Sequence, residues 1–255
     1  MLLANTFSEY IANFKTALVF VLLLVFAPIA FILGNFFIGS GTIFLDYNLS
    51  FANPAQLLLA LAFAAVYVLI YSFFISIIIF SVRKDLSTLH FNYYLTEMIK
   101  KFTFKIFWFN LGFFLVLFLL GSVLFFFNVP ALVIAAILFL LAVSVIFVPQ
   151  AIVIDEENIL NSIYNNFDFF RTNFSSFAKI FVTAIILLAI VQLIEFLVDL
   201  VVPVGAFVSI IISLIFIVPY LEVMKTYLYM LKYDLIRNPD VLHRKAMKKK
   251  HAYKR

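Results

Sequence analysis

Apolar residues in this chain occur in runs far longer than the core of a water-soluble fold requires. A helix crosses a hydrocarbon layer of about 30 Å with about 20 residues at 1.5 Å per residue. Six stretches meet that length: Ala17 to Ile38, Ala55 to Val82, Ile106 to Phe127, Ala131 to Ile154, Ile180 to Val202 and Ala206 to about Leu231. The second is unbroken from Leu57 to Phe80, and the last keeps a helical pattern toward Ile236. The pattern predicts an all-α polytopic membrane helical bundle with six transmembrane helices.

Between these runs the pattern shifts to one apolar face per helix. Leu3, Phe7, Tyr10, Ile11 and Phe14 fall opposite Asn5, Glu9 and Asn13. Phe91, Tyr94, Leu95, Met98 and Phe102 oppose Glu97 and Lys101, and Ile159, Ile163, Phe167, Phe170 and Phe174 oppose Glu157, Asn161, Asn165 and Asp168. This 3.6-residue period predicts three cytoplasmic amphipathic interfacial helices lying in the headgroup plane. Asp155, Glu156 and Glu157 give the third a negative first turn that suits its dipole. Each amphipathic segment precedes a pair of spans, which predicts a threefold parallel internal repeat about an axis along the membrane normal. Phe102 to Phe107 echoes Phe174 to Phe181, and Phe147-Val148-Pro149-Gln150 echoes Ile217-Val218-Pro219-Tyr220.

Composition narrows the class further. Hydrophobic residues make up 66% of the chain and charged residues 12%, against about 45 to 50% and about 25% in soluble domains. Too few polar side chains remain to cover a water-facing surface. The absence of Cys excludes disulfides, thiolate metal sites and a Cys nucleophile. His90, His243 and His251 stand far apart, so no metal site is expected, and no cofactor. No glycine-rich phosphate loop, paired His and acid, or nucleophile elbow occurs, so an enzyme is not expected.

Charge placement sets the orientation. The 18 Lys and Arg residues gather at the amino end, in Arg83 to Lys105, in Asp155 to Lys179 and from Lys225 to the carboxyl end. Gly39 to Pro54, Asn128 to Pro130 and Pro203 to Gly205 hold none. The positive-inside rule makes the first set cytoplasmic, with both termini inside a multi-pass protein of the cell membrane. Residues 1–237 form one transmembrane domain and 238–255 a basic cytoplasmic tail. The tail's Lys248, Lys249, Lys250, Lys254 and Arg255 suit anionic headgroups, at about 1 kcal/mol per basic residue, better than nucleic acid. The first stretch has no cleavage site at its end and is expected to remain in the mature protein. Asn48-Leu49-Ser50 matches a glycosylation acceptor and is read as an ordinary loop.

Few ionisable groups enter the spans, where each costs roughly 2.5 to 3.5 kcal/mol at mid-bilayer. Gln192, Glu195 and Asp199 share a face of the fifth span, at i, i+3 and i+7. This candidate polar intramembrane site has two readings. The stripe lines a hydrated cavity, or Asp199 reaches the outer headgroups while Glu195 bonds Asn110 or Asn35. Glu222 and Lys225, at i and i+3, form an interfacial pair near the cytoplasmic boundary, read as a structural anchor beside an aromatic belt of Tyr220, Tyr227 and Tyr229. Pro149 and Pro219 bend their spans and free carbonyls for a partner.

The stretch from Phe147 to Ile190 carries a Pro near the inner end of a span, the acidic pair Asp155 and Glu156, Ser162, and Phe169 to Asn173 before the next span. Pro219 with Tyr227, Tyr229 and Tyr233 forms a second patch. These features resemble a family of prokaryotic membrane domains that includes the membrane domain of some glycerophosphoryl diester phosphodiesterases and related archaeal membrane proteins. The resemblance implies a helical membrane fold of about six spans and no particular reaction. The soluble hydrolase of some relatives has no counterpart, because no segment outside the spans is long enough to form it.

The expected role is a non-enzymatic membrane module acting on lipid organisation, or a partner of another membrane protein. Its expected partners are membrane lipids with anionic headgroups at the cytoplasmic face. The alternative is a small transporter using Glu195 and Asp199.

Overall fold

The computed structural model describes residues 2–33, 36–39, 41–45, 54–87, 95–233 and 235–236. Asn35, Asn48 to Ser50, Phe91, Tyr94, the three histidines and the basic tail lie outside the described residues. Six helices are long and apolar enough to cross a membrane: Phe14–Leu33, Leu58–Leu86, Thr96–Phe126, Ala131–Ile154, Phe174–Asp199 and Gly205–Lys232. They are called the first to sixth spans below. The chain is an all-α bundle of the multi-pass membrane class.

Lipid replaces water as the surrounding medium, and the spans show it. Large apolar side chains such as Ile32, Leu132, Leu193 and Val201 are exposed on the outside of the bundle. Burial concentrates where the second, fourth and sixth spans converge. Ile75, Ile78, Ile79, Val82 and Leu86 of the second span meet Val148–Ile154 of the fourth and Val223 to Met230 of the sixth.

The third span differs from the sequence expectation. The amphipathic segment before it does not form a separate interfacial helix among the described residues. Leu95–Met98 continues through a wide-turn segment, Ile99–Thr103, straight into Phe104–Phe126. The reason is one unbroken buried stripe, Met98, Phe102, Ile106 and Phe109, which leaves the chain no cause to turn. Ser76 and Thr103 pair their hydroxyls at 2.8 Å across the second and third spans. Phe91 and Tyr94 of that segment lie outside the described residues, and the described ones do not establish a threefold repeat.

The fourth span is broken. Ala131–Ser144 and Val148–Ile154 are helical, and residues 145–147 form a turn between them. Pro149 accounts for the site, since its ring has no N–H to return to Val145, four residues back.

Between the first and second spans lies a structure that the apolar pattern did not predict. Strand β1 (Phe36–Gly39) pairs antiparallel with β2 (Thr42–Leu45), with Phe36 opposite Leu45 and Gly39 opposite Thr42. Gly41 turns the hairpin at φ +75°, a conformation that favours glycine. Its N–H donates to Ser209 Oγ at 3.1 Å. A Cβ at Gly41 would stand 1.9 Å from Ser213 Oγ, so the tip is seated against the sixth span.

Among the described residues two further helices do not span. Leu2–Ala12 packs against the sixth span, and Ile159–Thr172 against the Val148–Ile154 half of the fourth. Polar residues share the docked edge of both, and Ile159, Ile163 and Phe170 of the second pack partly against the core. Thr6, Tyr10 and Asn13 are buried, with Ala17 continuing the line, while Leu3, Phe7 and Ile11 are more than half exposed. Ser162, Asn166 and Phe169 are likewise buried, while Leu160, Tyr164 and Phe167 are exposed. Against lipid-facing spans there is little hydrophobic drive for helices to associate, and small or hydrogen-bonding residues take the contact instead.

Candidate functional site

The docking helices are fastened to backbone freed by proline. Pro219 cannot donate to Ile215, four residues back, and the Tyr10 hydroxyl donates to that carbonyl at 2.9 Å. Burial pushes the Tyr10 hydroxyl up to about 12, which keeps it a donor across the physiological range. At the break in the fourth span, Asn166 bonds both exposed ends. Its Nδ2 donates to Ser144 O at 2.6 Å, and its Oδ1 accepts from the Phe147 N–H at 2.9 Å. The carbonyl freed by Pro219 thus has an identified neighbour, while Val145 O, four residues before Pro149, accepts from the Val148 N–H at 3.1 Å within the turn.

At the end of the bundle that gathers the cations, charged groups knit four segments together. Arg83, only 7% exposed, donates to Val153 O at 2.6 Å and to Glu156 Oε1 at 3.2 Å. Lys101 pairs with the other oxygen of Glu156, and Lys105 donates to Glu157 O at 3.0 Å. Glu156 has φ +61°, an uncommon value for a side-chain-bearing residue, at the turn into Ile159–Thr172. Next to it, Tyr229 donates to Asp155 Oδ2. Burial raises the Asp155 carboxyl above its ordinary value, against the lowering influence of Tyr229 and Arg83.

These contacts correct the expected aromatic belt. Tyr229 is fully buried and stacks on Phe169 with ring centroids 5.2 Å apart. Tyr227 is buried too and accepts from Asn5 Nδ2 at 3.2 Å. Burial also raises the Tyr233 hydroxyl, at the end of the same cluster. The tyrosines fasten the amino-terminal helix and the fourth-span turn to the sixth span.

The residues of the fifth-span stripe serve separate purposes. Asp199 Oδ1 accepts from the Gly205 N–H at 2.7 Å and so caps the start of the sixth span. Gly205 must be glycine for the close approach, since a Cβ there would stand 2.4 Å from Glu195 O and 2.7 Å from Asp199 Oδ1. Glu195 faces the hairpin, with Oε1 3.7 Å from where a Cβ at Gly39 would be. Gln192 is exposed on the bundle exterior. Asn110, one expected neighbour of Glu195, instead donates to Ser72 Oγ at 2.9 Å.

Glu222 and Lys225 are buried within the bundle. They are 5% and 7% exposed, and they pair directly. Gln150 Nε2 donates to Glu222 Oε2 at 2.9 Å, and Lys225 Nζ reaches Ile146 O, at the fourth-span break, at 3.4 Å. Glu222 lies 17 residues after Gly205, roughly 25 Å along the helix at 1.5 Å per residue. On a hydrocarbon core about 30 Å thick, that lies toward the boundary at which the sixth span ends. Removing two charges from water costs several kcal/mol per ion, and only close pairing with further hydrogen bonds offsets it.

The pair borders a cavity of about 150 Å³ between the second, third, fourth and sixth spans. Tyr71, Asn110, Ile146 and Pro149 also line it. Sequence spacing identified the pair itself. It missed Gln150, Tyr71 and Asn110, for which the only signal was that each is a polar residue inside an apolar run. A second, apolar groove of about 350 Å³ separates the amino-terminal helix from the fifth and sixth spans, and Leu3, Phe7, Ile186 and Phe216 line it. Neither the cavity nor the groove reaches Glu195 or Asp199. Among the described residues no group of His, Asp and Glu side chains is arranged to hold a metal ion.

Comparison with protein-family models, with curated proteins and with solved structures found no match.

Proposed function

We propose that the protein is a non-enzymatic membrane module that holds anionic lipid at the cytoplasmic face of the cell membrane, with both termini on that side. One observation carries the reading: both non-spanning helices turn an apolar stripe away from the bundle, and a cation follows each stripe. Leu3, Phe7 and Ile11 are exposed at successive four-residue steps, and Lys15 follows at the next step. Leu160, Tyr164 and Phe167 are exposed at steps of four and three residues, and Arg171 follows four residues later.

Water is a poor neighbour for such stripes, at about 25 cal/mol per Å² of apolar surface. A lipid boundary suits both parts at once. Acyl chains cover the apolar side chains, and anionic headgroups meet Lys15 and Arg171. The groove beneath Leu3 and Phe7 supplies a sheltered apolar channel beside the same stripe. The resemblance of Phe147 to Ile190 to prokaryotic membrane domains is consistent with a module of this kind. A transport role through Glu195 and Asp199 is less favoured, because Asp199 is committed to capping Gly205 and Glu195 faces the hairpin.

The test is native mass spectrometry of the full chain, released from nanodiscs containing equal phosphatidylglycerol and phosphatidylcholine. Preferential retention of phosphatidylglycerol, weakened in a Lys15→Gln/Arg171→Gln double variant, supports the proposal. Equal retention of the two lipids by the unaltered protein rejects it.

A further inference from the structure

We infer that the cavity beside Glu222 and Lys225 is a binding site for a small zwitterion of α-amino acid size, a role beyond the lipid-holding one and independent of it. Space is the first argument. A volume of about 150 Å³ equals that of a cavity that accepts a benzene-sized guest, and a small amino acid is of that order. The walls are largely apolar, with Ile75, Phe109 and Phe113 among them, and the polar groups gather on few side chains: Tyr71, Asn110, Glu222 and Lys225.

Charge selects the ligand. Glu222 and Lys225 cancel one another, so a monoanion or a monocation entering the cavity would leave one uncompensated charge buried within the bundle. A zwitterion adds no net charge. Its ammonium can pair with Glu222 while its carboxylate pairs with Lys225, so that one internal ion pair is exchanged for two to the ligand.

The surroundings are arranged for that exchange. When the pair opens, Glu222 keeps its bond from Gln150 Nε2, and Lys225 keeps Ile146 O within 3.4 Å. Neither charge is stranded during entry. The freed backbone at the fourth-span break therefore supports the ammonium of Lys225 in place of a mobile cation, the usual occupant of unwound carbonyls in carriers. Asn110 Nδ2 already donates to Ser72, which leaves the amide oxygen to face a ligand donor.

The experiment is thermal unfolding of the full chain in detergent with glycine, L-alanine or glycine betaine. Acetate and methylammonium, each carrying one half of the charge pattern, serve as controls at matched ionic strength. A ligand that binds only the folded protein raises Tm with concentration. The proposal expects a dose-dependent rise with at least one zwitterion and none with either half. Ala142 lines the cavity on its exposed side, so A142F adds bulk at the mouth without disturbing the packed core. That variant should fold and lose the shift. The neutral double variant E222Q/K225M should lose it as well, and either variant suffices if the other does not fold. The proposal is overturned if no zwitterion shifts the unaltered protein, if acetate or methylammonium shifts it equally, or if the shift persists in a folded variant.

Discussion

Two residues illustrate how polar chemistry, rather than apolar area, fastens this bundle. Tyr10 satisfies the carbonyl that Pro219 leaves behind, so the two side chains form a functional couple although they touch through a third residue, Ile215. Tyr10→Phe should cost on the order of 1 kcal/mol, the value of one such bond. Pro219→Ala restores an N–H to Ile215, and in that background Tyr10→Phe should cost measurably less. A double-mutant cycle from unfolding in detergent reads the coupling, and equal costs in both backgrounds would reject the assignment. Asp155 behaves differently, because burial raises its carboxyl above the ordinary value of 3.8. The folded protein therefore binds this proton more tightly than the unfolded chain, and stability falls as pH rises from about 4 through the folded pKa. Asp155→Asn keeps an acceptor for Tyr229 and cannot ionise. Its Tm relative to the unaltered protein should improve as pH rises from 4 toward neutrality, and parallel Tm curves would contradict the sign.

At the scale of elements, the spans were legible in the sequence because twenty apolar residues in succession have few other uses. The docking helices were legible as helices, but the polar residues that fasten them were not. Thr6 and Ser162 are buried while Leu3 and Leu160 are exposed, because facing lipid costs an apolar side chain little and a hydroxyl more. The hairpin was illegible: Phe36 to Ile38 extends the apolar run, and its pairing with Ile43 to Leu45 depends on a seat provided by Ser209 and Ser213 far along the chain. The candidate site divides in the same manner. The Glu222 and Lys225 pair follows from spacing, whereas Gln150 arrives through the broken fourth span, which no periodicity reveals. Asp199 offers the sharpest element-level test. Asp199→Ala removes the cap from Gly205 and should cost about 1 kcal/mol, within the usual range for caps. Asp199→Asn retains the acceptor and should cost clearly less. Equal losses in thermal unfolding would mean that the charge, not the bond, is what the position requires.

For the whole molecule, orientation is the property on which the lipid-holding proposal depends. Arg83, Lys101, Lys105, Arg171 and Lys179 gather at one end of the bundle, and the turns at 127–130 and 200–204 at the other end carry no cation. Lys and Arg are retained on the cytoplasmic side during insertion, so the first end should face inward. The chain has no Cys, which allows this to be measured with single introduced thiols and no background. Val201, 83% exposed, lies in the turn between the fifth and sixth spans, and Asn161 is exposed on the Ile159–Thr172 helix. Neither side chain takes part in the inner ion-pair network or lines the central cavity. A membrane-impermeant maleimide applied to intact cells should label Val201→Cys at once and Asn161→Cys only after permeabilisation. The reverse pattern would place Lys15 and Arg171 outside, away from the anionic inner surface that gives them their role. It would leave the six spans intact and remove the electrostatic half of the lipid-holding argument.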